Sequence, residues 1–406
     1  MVNINEISKI GIGMYRMDIN NLENSEALNY AIESGINIVD TSSNYGFGNS
    51  ELLLGKNIDK GIRESVFIVS KAGYIQGNDI EKIKKIVTSN YLKFSDNFLY
   101  SLDVNFLDFQ FEQSIKRLNT DYIDCYLLHN PEYYVNEKFN KFPNDLKEII
   151  FNAFVFLEGK VQSGQLRYYG ISSNNLNALP LKEIFKGKFP SFKFIQFPYN
   201  IIENDLSSSN YENNDFTVEK LKKHGLITLS NRPLNTIYQG GVLRLSDTII
   251  ENLDIIEKEE EILFNSLKNM IIKQLSELNE ETKLETYYPI KFFMENRKKI
   301  ANVEAINKSI REYLFPFLEA INLKNNEIIK LLGELKNYWE LYSKSHNQKR
   351  LEILKQNMIE EGKMKFNDKR DFSIILSEYY LNIGGIDSIL MGLTKKEYID
   401  KIKILL

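Results

Sequence analysis

Eight short apolar runs constrain this chain more than any other feature. They read KIGIGMY, INIVD, VFIVSK, YIDCYLLH, RYYGISS, FKFIQFPY, LITLSNR and DSILMG. Each is rich in β-branched or aromatic residues and short enough for a strand buried on both faces. Between most of them lie amphipathic segments. Residues 21–35, NLENSEALNYAIESG, place Leu28, Ala31 and Ile32 on one helical face and stop at Gly35. FLDFQFEQSIKRLN precedes the fourth run, and NDLKEIIFNAFVFLEGKVQSG precedes the fifth, again ending in Gly. Strand alternating with helix implies parallel βαβ units. Eight of them imply a closed (β/α)8 TIM barrel of class α/β.

Such a barrel needs about 250 residues, and the chain has 406. The surplus is concentrated between the seventh and eighth runs. The expected division is a barrel over 1–245 and 370–406 and a helical insertion over 246–369. Within the insertion Leu263, Leu267, Met270, Ile271, Leu275 and Leu278 recur at helical spacing, and NNEIIKLLGELKNYWELYSK forms a second helical stretch. Pro289 and Pro316 punctuate the segment between them. A solvated bundle on the barrel's rim is the plain reading; a lid or a partner surface is the sharper one. The residues name no protein partner.

The composition is 43% hydrophobic and 26% charged, with a net charge of −4. That is an ordinary globular balance, without the basic footprint of a nucleic-acid binder. No apolar run is long enough for a bilayer, and the N-terminus lacks the pattern of a signal peptide. A cytoplasmic protein is expected. Cys125 is the sole cysteine, so neither an intrachain disulfide nor a cysteine zinc site is expected, and the three histidines lie far apart, without metal-ligand spacing.

In a (β/α)8 barrel, functional groups gather where strands end, on the C-terminal face. The second run ends at Asp40, with Tyr45 in the loop beyond. The third ends at Lys71 and the fourth at His129. The fifth ends at Ser172 and Ser173, followed by Asn174. The sixth ends near Gln196, and the seventh near Asn231 and Arg232. A phenol with a pKa near 10 is a sluggish acid at neutral pH. A neighbouring ammonium lowers that value, and a buried carboxylate keeps the ammonium charged. Asp40, Lys71 and Tyr45 therefore read as a relay ending in a tuned acid, with His129 positioned to hydrogen-bond a substrate oxygen. This set suits proton transfer to a carbonyl or alcohol. The accompanying hydride requires a cofactor, and a nicotinamide is the natural source.

Taken together, DTSSNYGFGNSELLLG, IVSKAGY, YIDCYLLHNPEYY, YYGISSNN, FIQFPYN, LSNRPLN and IDSILMGL resemble the aldo-keto reductase superfamily, in its order and over most of the chain outside the insertion. The resemblance implies that Tyr45 is the general acid, tuned by Asp40 and Lys71, and that His129 orients the substrate carbonyl. It implies that Ser172, Ser173 or Asn174, and Gln196 bind the nicotinamide carboxamide. The segment containing Asn231, Arg232 and Leu234 would lie along the pyrophosphate, and Gly392 through Lys396 would meet the adenosine phosphate. There Lys395 and Lys396 favour NADP(H), with NAD(H) as the alternative. The substrate would be a small aldehyde, ketone or sugar carbonyl, or a sugar alcohol or lactol in the oxidative direction. A cofactor-binding regulatory or scaffold protein is the rival class. Two departures stand out. Asn231 occupies a position where many members stack an aromatic ring, and Tyr398 lies near their usual final-loop arginine.

Each residue also has an ordinary reading. Taken alone, Asp40 is a helix cap or loop acid, Tyr45 a half-buried loop aromatic, Lys71 a solvated cation and His129 a structural histidine. Their joint placement at successive strand ends favours chemistry. Glu51 is expected to open a helix, where a carboxylate is favourable, and His224 to close one. Gly11-Ile-Gly13-Met-Tyr-Arg16 lacks the third glycine of a dinucleotide fingerprint, GISSN lacks the closing glycine of a hydrolase elbow, and Gly55-Lys56 lacks the glycine spacing of a phosphate loop.

Overall fold

The structure is a computed structural model that describes residues 1–77, 80–87, 91–135, 146–204, 217–238, 241–300, 302–365, 368–382 and 385–406. Each apolar run contributes one strand: β1 (Ile10–Gly13), β2 (Ile38–Asp40), β3 (Phe67–Ala72), β4 (Ile123–His129), β5 (Leu166–Ser172), β6 (Phe192–Pro198), β7 (Ile227–Asn231) and β8 (Ser388–Met391). Neighbours in sequence are neighbours in space, every pairing is parallel, and β8 pairs with β1 to close the ring. The (β/α)8 barrel is therefore the observed fold. The expected helices are present as Leu22–Glu33, Val104–Leu118 and Leu146–Gln162. Positions 144 and 145, at the start of the expected segment before β5, lie outside the described residues.

The period of two along each strand carries the core up into the site. Ile38, Phe67, Val69, Cys125, Leu127, Phe194, Leu229 and Leu390 form one buried apolar cluster. Residues two positions further along a strand point the same way. Those residues are Asp40 after Ile38, Lys71 after Val69, His129 after Leu127, Gln196 after Phe194 and Asn231 after Leu229. The apolar layer is thus roofed by a polar one at the strands' C-terminal ends. Gly170 belongs to this tight packing: a Cβ there would sit 1.9 Å from the Phe194 carbonyl oxygen. Gly170→Ala is expected to cost about 3 kcal/mol or more, because backbone must move to admit the methyl group. A chemical-denaturation midpoint within error of the parent would contradict this.

Glu51 does more than open the helix Asn49–Asn57. It is fully buried, accepts from Ser70 Oγ at 2.5 Å and takes Arg117 Nε at 2.7 Å. It ties that helix to β3 and to the helix Val104–Leu118. Gly55 lets the two helices meet, since a Cβ there would lie 2.3 Å from the Arg117 carbonyl oxygen. His224 caps the helix Val218–Lys223 as expected, and stacks on Phe185 at 3.9 Å. An antiparallel sheet of Tyr74–Gln76, Leu92–Ser95 and Phe98–Tyr100, which the apolar runs did not announce, follows β3.

The chain divides into two compact units, Met1–Leu234 with Ile374–Leu406 and Asn235–Ser373. The second begins earlier than the expected boundary at 246. Its first element is a hairpin, Asn235–Tyr238 paired with Gly241–Arg244, whose backbone is hydrogen-bonded by the side chains of Asn347 and Arg350. Its main helices are Leu253–Glu277 and Asn326–Glu360, the latter continuing well past the stretch read from sequence. The unit has its own core, in which Leu267, Ile271 and Leu275 meet Phe293, Leu335 and Trp339. At its centre the buried Glu260 Oε1 receives Arg297 Nε at 2.8 Å and Trp339 Nε1 at 2.9 Å. Phe293 is buried, Tyr287 and Phe292 pack against the same core, and Tyr288 is exposed. His346, which had no visible partner in the sequence, is hydrogen-bonded through Nδ1 to the Tyr342 carbonyl at 3.0 Å.

Candidate active site

Lys71 is fully buried, and its three ammonium protons have three acceptors. They go to Asp40 Oδ2 at 2.7 Å, the Thr41 carbonyl at 3.0 Å and the Tyr45 hydroxyl at 3.1 Å. β2 and β3 run side by side with Asp40 opposite Val69, which places the carboxylate beside the ammonium. Tyr45 reaches back from a turn whose Gly46 and Gly48 have φ values of 55° and 94°. Its oxygen accepts from Lys71, and no described residue accepts its own proton.

Burial opposes every charge here. It raises the Asp40 carboxyl above the ordinary carboxylate range, against the pull of Lys71. It also works against the Lys71 charge, but Asp40 and Tyr45 outweigh it and hold Lys71 above its usual value. The Lys71 ammonium does lower the phenol, as the sequence implies, but it does not decide the net shift. Burial pushes Tyr45 above its ordinary value, and the Lys71 ammonium offsets only part of that. The phenol is accordingly protonated at neutral pH. His129 is held well below its usual value, first by burial and then by Lys71, so its ring is neutral.

His129 stands beside this group. Its ring centroid is 6.3 Å from that of Tyr45, and its Nδ1 faces Ser42 Oγ at 3.4 Å. Tyr74 packs edge-on against it at 4.7 Å, and Tyr15 packs edge-on against Tyr45 at 5.1 Å. Neither tyrosine was singled out in the sequence, although Tyr74 closes the IVSKAGY motif. Glu132 was also missed. It accepts from Ser173 Oγ at 2.8 Å and from the Asn174 backbone N–H at 2.9 Å, fixing the turn after β5.

The expected cofactor residues fall into two groups. Ser172, Gln196 and Asn231 form a connected wall. Gln196 Oε1 accepts from Ser172 Oγ at 3.1 Å and Asn231 Nδ2 at 3.2 Å, and Gln196 Nε2 donates to Asp40 Oδ1 at 2.7 Å. Arg232, at φ 54°, donates to Asn174 Oδ1 at 3.1 Å and pairs with Glu203 at 3.2 Å. Gly392, Lys395 and Lys396 lie after β8, and Leu234 ends the segment after β7. Lys395 pairs with Glu23 at 3.3 Å, and Lys396 lies 4.3 Å over the Tyr30 ring. The wall fits a carboxamide: Asn231 Oδ1 is buried and has no hydrogen-bond partner among the described residues, which leaves an acceptor for an amide N–H. Among the described residues no cluster of His, Cys, Asp or Glu has metal-binding geometry, and no helix is long and apolar enough to cross a membrane.

The family model for the Aldo/keto reductase family matches residues 9–288, a span that includes β1 to β7. The chain belongs to the aldo/keto reductase family. Members of this family are oxidoreductases. The Aldo-keto reductase YhdN of Bacillus subtilis (strain 168) is 28% identical over 211 residues, which are 50% of this chain and 54% of that protein. The NADH-specific methylglyoxal reductase of Escherichia coli (strain K12) is 27% identical over 175 residues, 43% of this chain and 47% of that protein. The chain thus spans about half the length of these curated relatives. The solved structure of a glycerol dehydrogenase from Gluconobacter oxydans is similar over 98% of this chain and 86% of that one, at 15% identity and a TM-score of 0.49.

Proposed function

We propose that this aldo/keto reductase family member transfers a hydride between NADP(H) and an aldehyde, ketone or sugar carbonyl, with Tyr45 as general acid and base. One observation carries the reading. Lys71 uses all its protons on Asp40, Thr41 and Tyr45, which leaves the Tyr45 proton as the one directed away from the buried pair. When bound, the reduced nicotinamide supplies the hydride. Tyr45 delivers the proton to the carbonyl oxygen as the C=O π bond breaks, and Lys71 stabilises the phenolate left behind. Neutral His129 offers a ring N–H to the same oxygen and orients it. Oxidation of an alcohol runs through the same residues in reverse.

The nicotinamide carboxamide is assigned to Ser172, Ser173 or Asn174, and Gln196, the pyrophosphate to the segment of Asn231, Arg232 and Leu234, and the adenosine end to Gly392, Lys395 and Lys396. Turnover of a panel of aldehydes, ketones and sugars with each cofactor tests the reaction. Cofactor binding without turnover of any panel member would favour a regulatory or scaffold role.

The lysines bear on cofactor choice. Lys395 carries a raised pKa from its Glu23 hydrogen bond and remains charged. Exposed ion pairs are weak, so a 2′-phosphate competes readily for both lysines. NADPH is expected to bind about two- to fivefold more tightly than NADH, and the difference is expected to vanish when Lys395 and Lys396 are both changed to Ala. Fluorescence titration of both cofactors decides this. Equal affinities in the parent, or a preference that survives the double change, would overturn it.

A further inference from the structure

Arg232 stands in the turn after β7 at φ 54°, a left-handed conformation that is strained for a long side chain and that recurs at functional sites. A guanidinium has five N–H donors, and each of its two forked edges includes Nη2. That nitrogen is already engaged twice, by the Glu203 carboxylate at 3.2 Å and by Asn174 Oδ1 at 3.1 Å. Asn200, fully buried, holds both ends of the ion pair. Its Nδ2 donates to Glu203 Oε2 at 2.7 Å and to the Arg232 carbonyl at 3.3 Å. Its Oδ1 accepts from the backbone N–H groups of Ile202 at 3.0 Å and Glu203 at 2.8 Å, which fixes the turn that carries the carboxylate.

We propose that Glu203, set in place by Asn200, is a latch that occupies Arg232 in the cofactor-free protein and competes for it with the pyrophosphate of the cofactor. That role rests on the function proposed above, which lays the segment of Asn231, Arg232 and Leu234 along the pyrophosphate. A guanidinium grips a phosphate best through a forked edge. Neither edge is open while Nη2 faces both Glu203 and Asn174. Binding therefore exchanges a carboxylate for a phosphate on the same cation. Asn174 is neutral and can stay beside an arriving anion, whereas the Glu203 carboxylate repels it. Affinity is lowered by the cost of parting the pair. Release is hastened, because the carboxylate stands ready to take the guanidinium back. Affinity differences at one site lie mostly in the dissociation rate, so the latch acts chiefly on how fast the spent cofactor leaves.

Glu203→Gln removes the charge and leaves an oxygen for Asn200 Nδ2. Glu203→Ala is made beside it, in case the amide holds the guanidinium itself or the first variant does not fold. Fluorescence titration is expected to show NADPH bound about two- to fivefold more tightly than by the parent, in the Gln variant or in the Ala variant alone. Stopped-flow displacement should place most of the gain in a slower dissociation. NADH carries the same pyrophosphate and should gain by the same factor, unlike the effect expected of Lys395 and Lys396. In an Arg232→Gln background the Glu203 changes should gain nothing. Unchanged or weaker binding of both cofactors to both variants would overturn the latch and make Glu203 a support for Arg232. A gain confined to NADPH, or one that persists without Arg232, would overturn it as well, the latter by showing plain repulsion through space. All of these are binding measurements. A parent that binds both cofactors but reduces no carbonyl would remove the proposed reaction and leave the latch. A parent that turns over carbonyls, with Glu203 variants of parental affinity, would remove the latch alone.

Discussion

Replacing Tyr45 by Phe is expected to lower carbonyl reduction by roughly 10²–10⁴-fold, while cofactor affinity stays within a few-fold. The substitution removes one oxygen and keeps the ring that packs against Tyr15 and faces His129. Structure and binding should therefore survive where chemistry does not. Burial holds the phenol protonated at neutral pH, and Tyr45 is the one group in the scheme that gives up its proton to the substrate oxygen. Neutral His129 is a poor substitute, since losing its proton would leave an imidazolate. Steady-state kinetics on the best carbonyl substrate, with fluorescence titration of the cofactor, separate the two effects. Near-native turnover in the Phe variant would remove Tyr45 from its role.

Lys71→Met should injure the fold as well as the reaction. Lys71 and Asp40 are both buried and lie 2.7 Å apart. Breaking one side of a buried ion pair costs about 3–5 kcal/mol, because the remaining charge has lost its partner in a low-dielectric site. Denaturant titration at neutral pH reads this directly. The sign of its pH dependence follows from Asp40, whose pKa is already raised by burial and rises further without Lys71. An acid whose folded pKa exceeds its unfolded one loses stability as pH rises through the folded value. The variant's deficit should therefore be largest at neutral pH and ease as the solution becomes acid. Adding Asp40→Asn should restore part of the loss, since no buried charge then remains. A Lys71→Met protein as stable as the parent at neutral pH would contradict the buried pair.

The barrel was legible because its strands are short, doubly buried and separated by helices with clear apolar faces. The site was legible for a simpler reason. In each of β2, β3, β4, β6 and β7 the functional residue stands two positions beyond a core residue, so one parity rule carries apolar layer into polar layer. What stayed hidden depends on distance in the chain and on burial. Gln196 and Asp40 are 156 positions apart, and nothing near either announces their bond. The ammonium beside Tyr45 was read correctly as a charge, but the cost of burying the phenol outweighs it, and burial depth is not written in a local motif. The antiparallel sheet after β3 was overlooked although Asp96-Asn97 between two aromatic-rich runs is a hairpin signal. The hairpin at Asn235–Arg244 was assigned to the barrel because its partners, Asn347 and Arg350, lie about a hundred positions further on.

The ring of strands has a consequence in time. Thr228 on β7 donates its backbone N–H to Asp387, which precedes β8, across 159 positions. A ribosome adding roughly 5–20 residues per second needs about 8–30 s to cover that distance. Throughout it β1 and β7 are edge strands, with the unpaired N–H and C=O groups that invite pairing with other chains. The intervening unit can bury its own core around Glu260 meanwhile, so most of the newly made chain need not wait uncollapsed. Once joined, the ends meet at modest entropic cost, since each doubling of a connection adds only about 0.6 kcal/mol. A long excursion at this point therefore weighs little on the finished barrel and heavily on the interval before it closes.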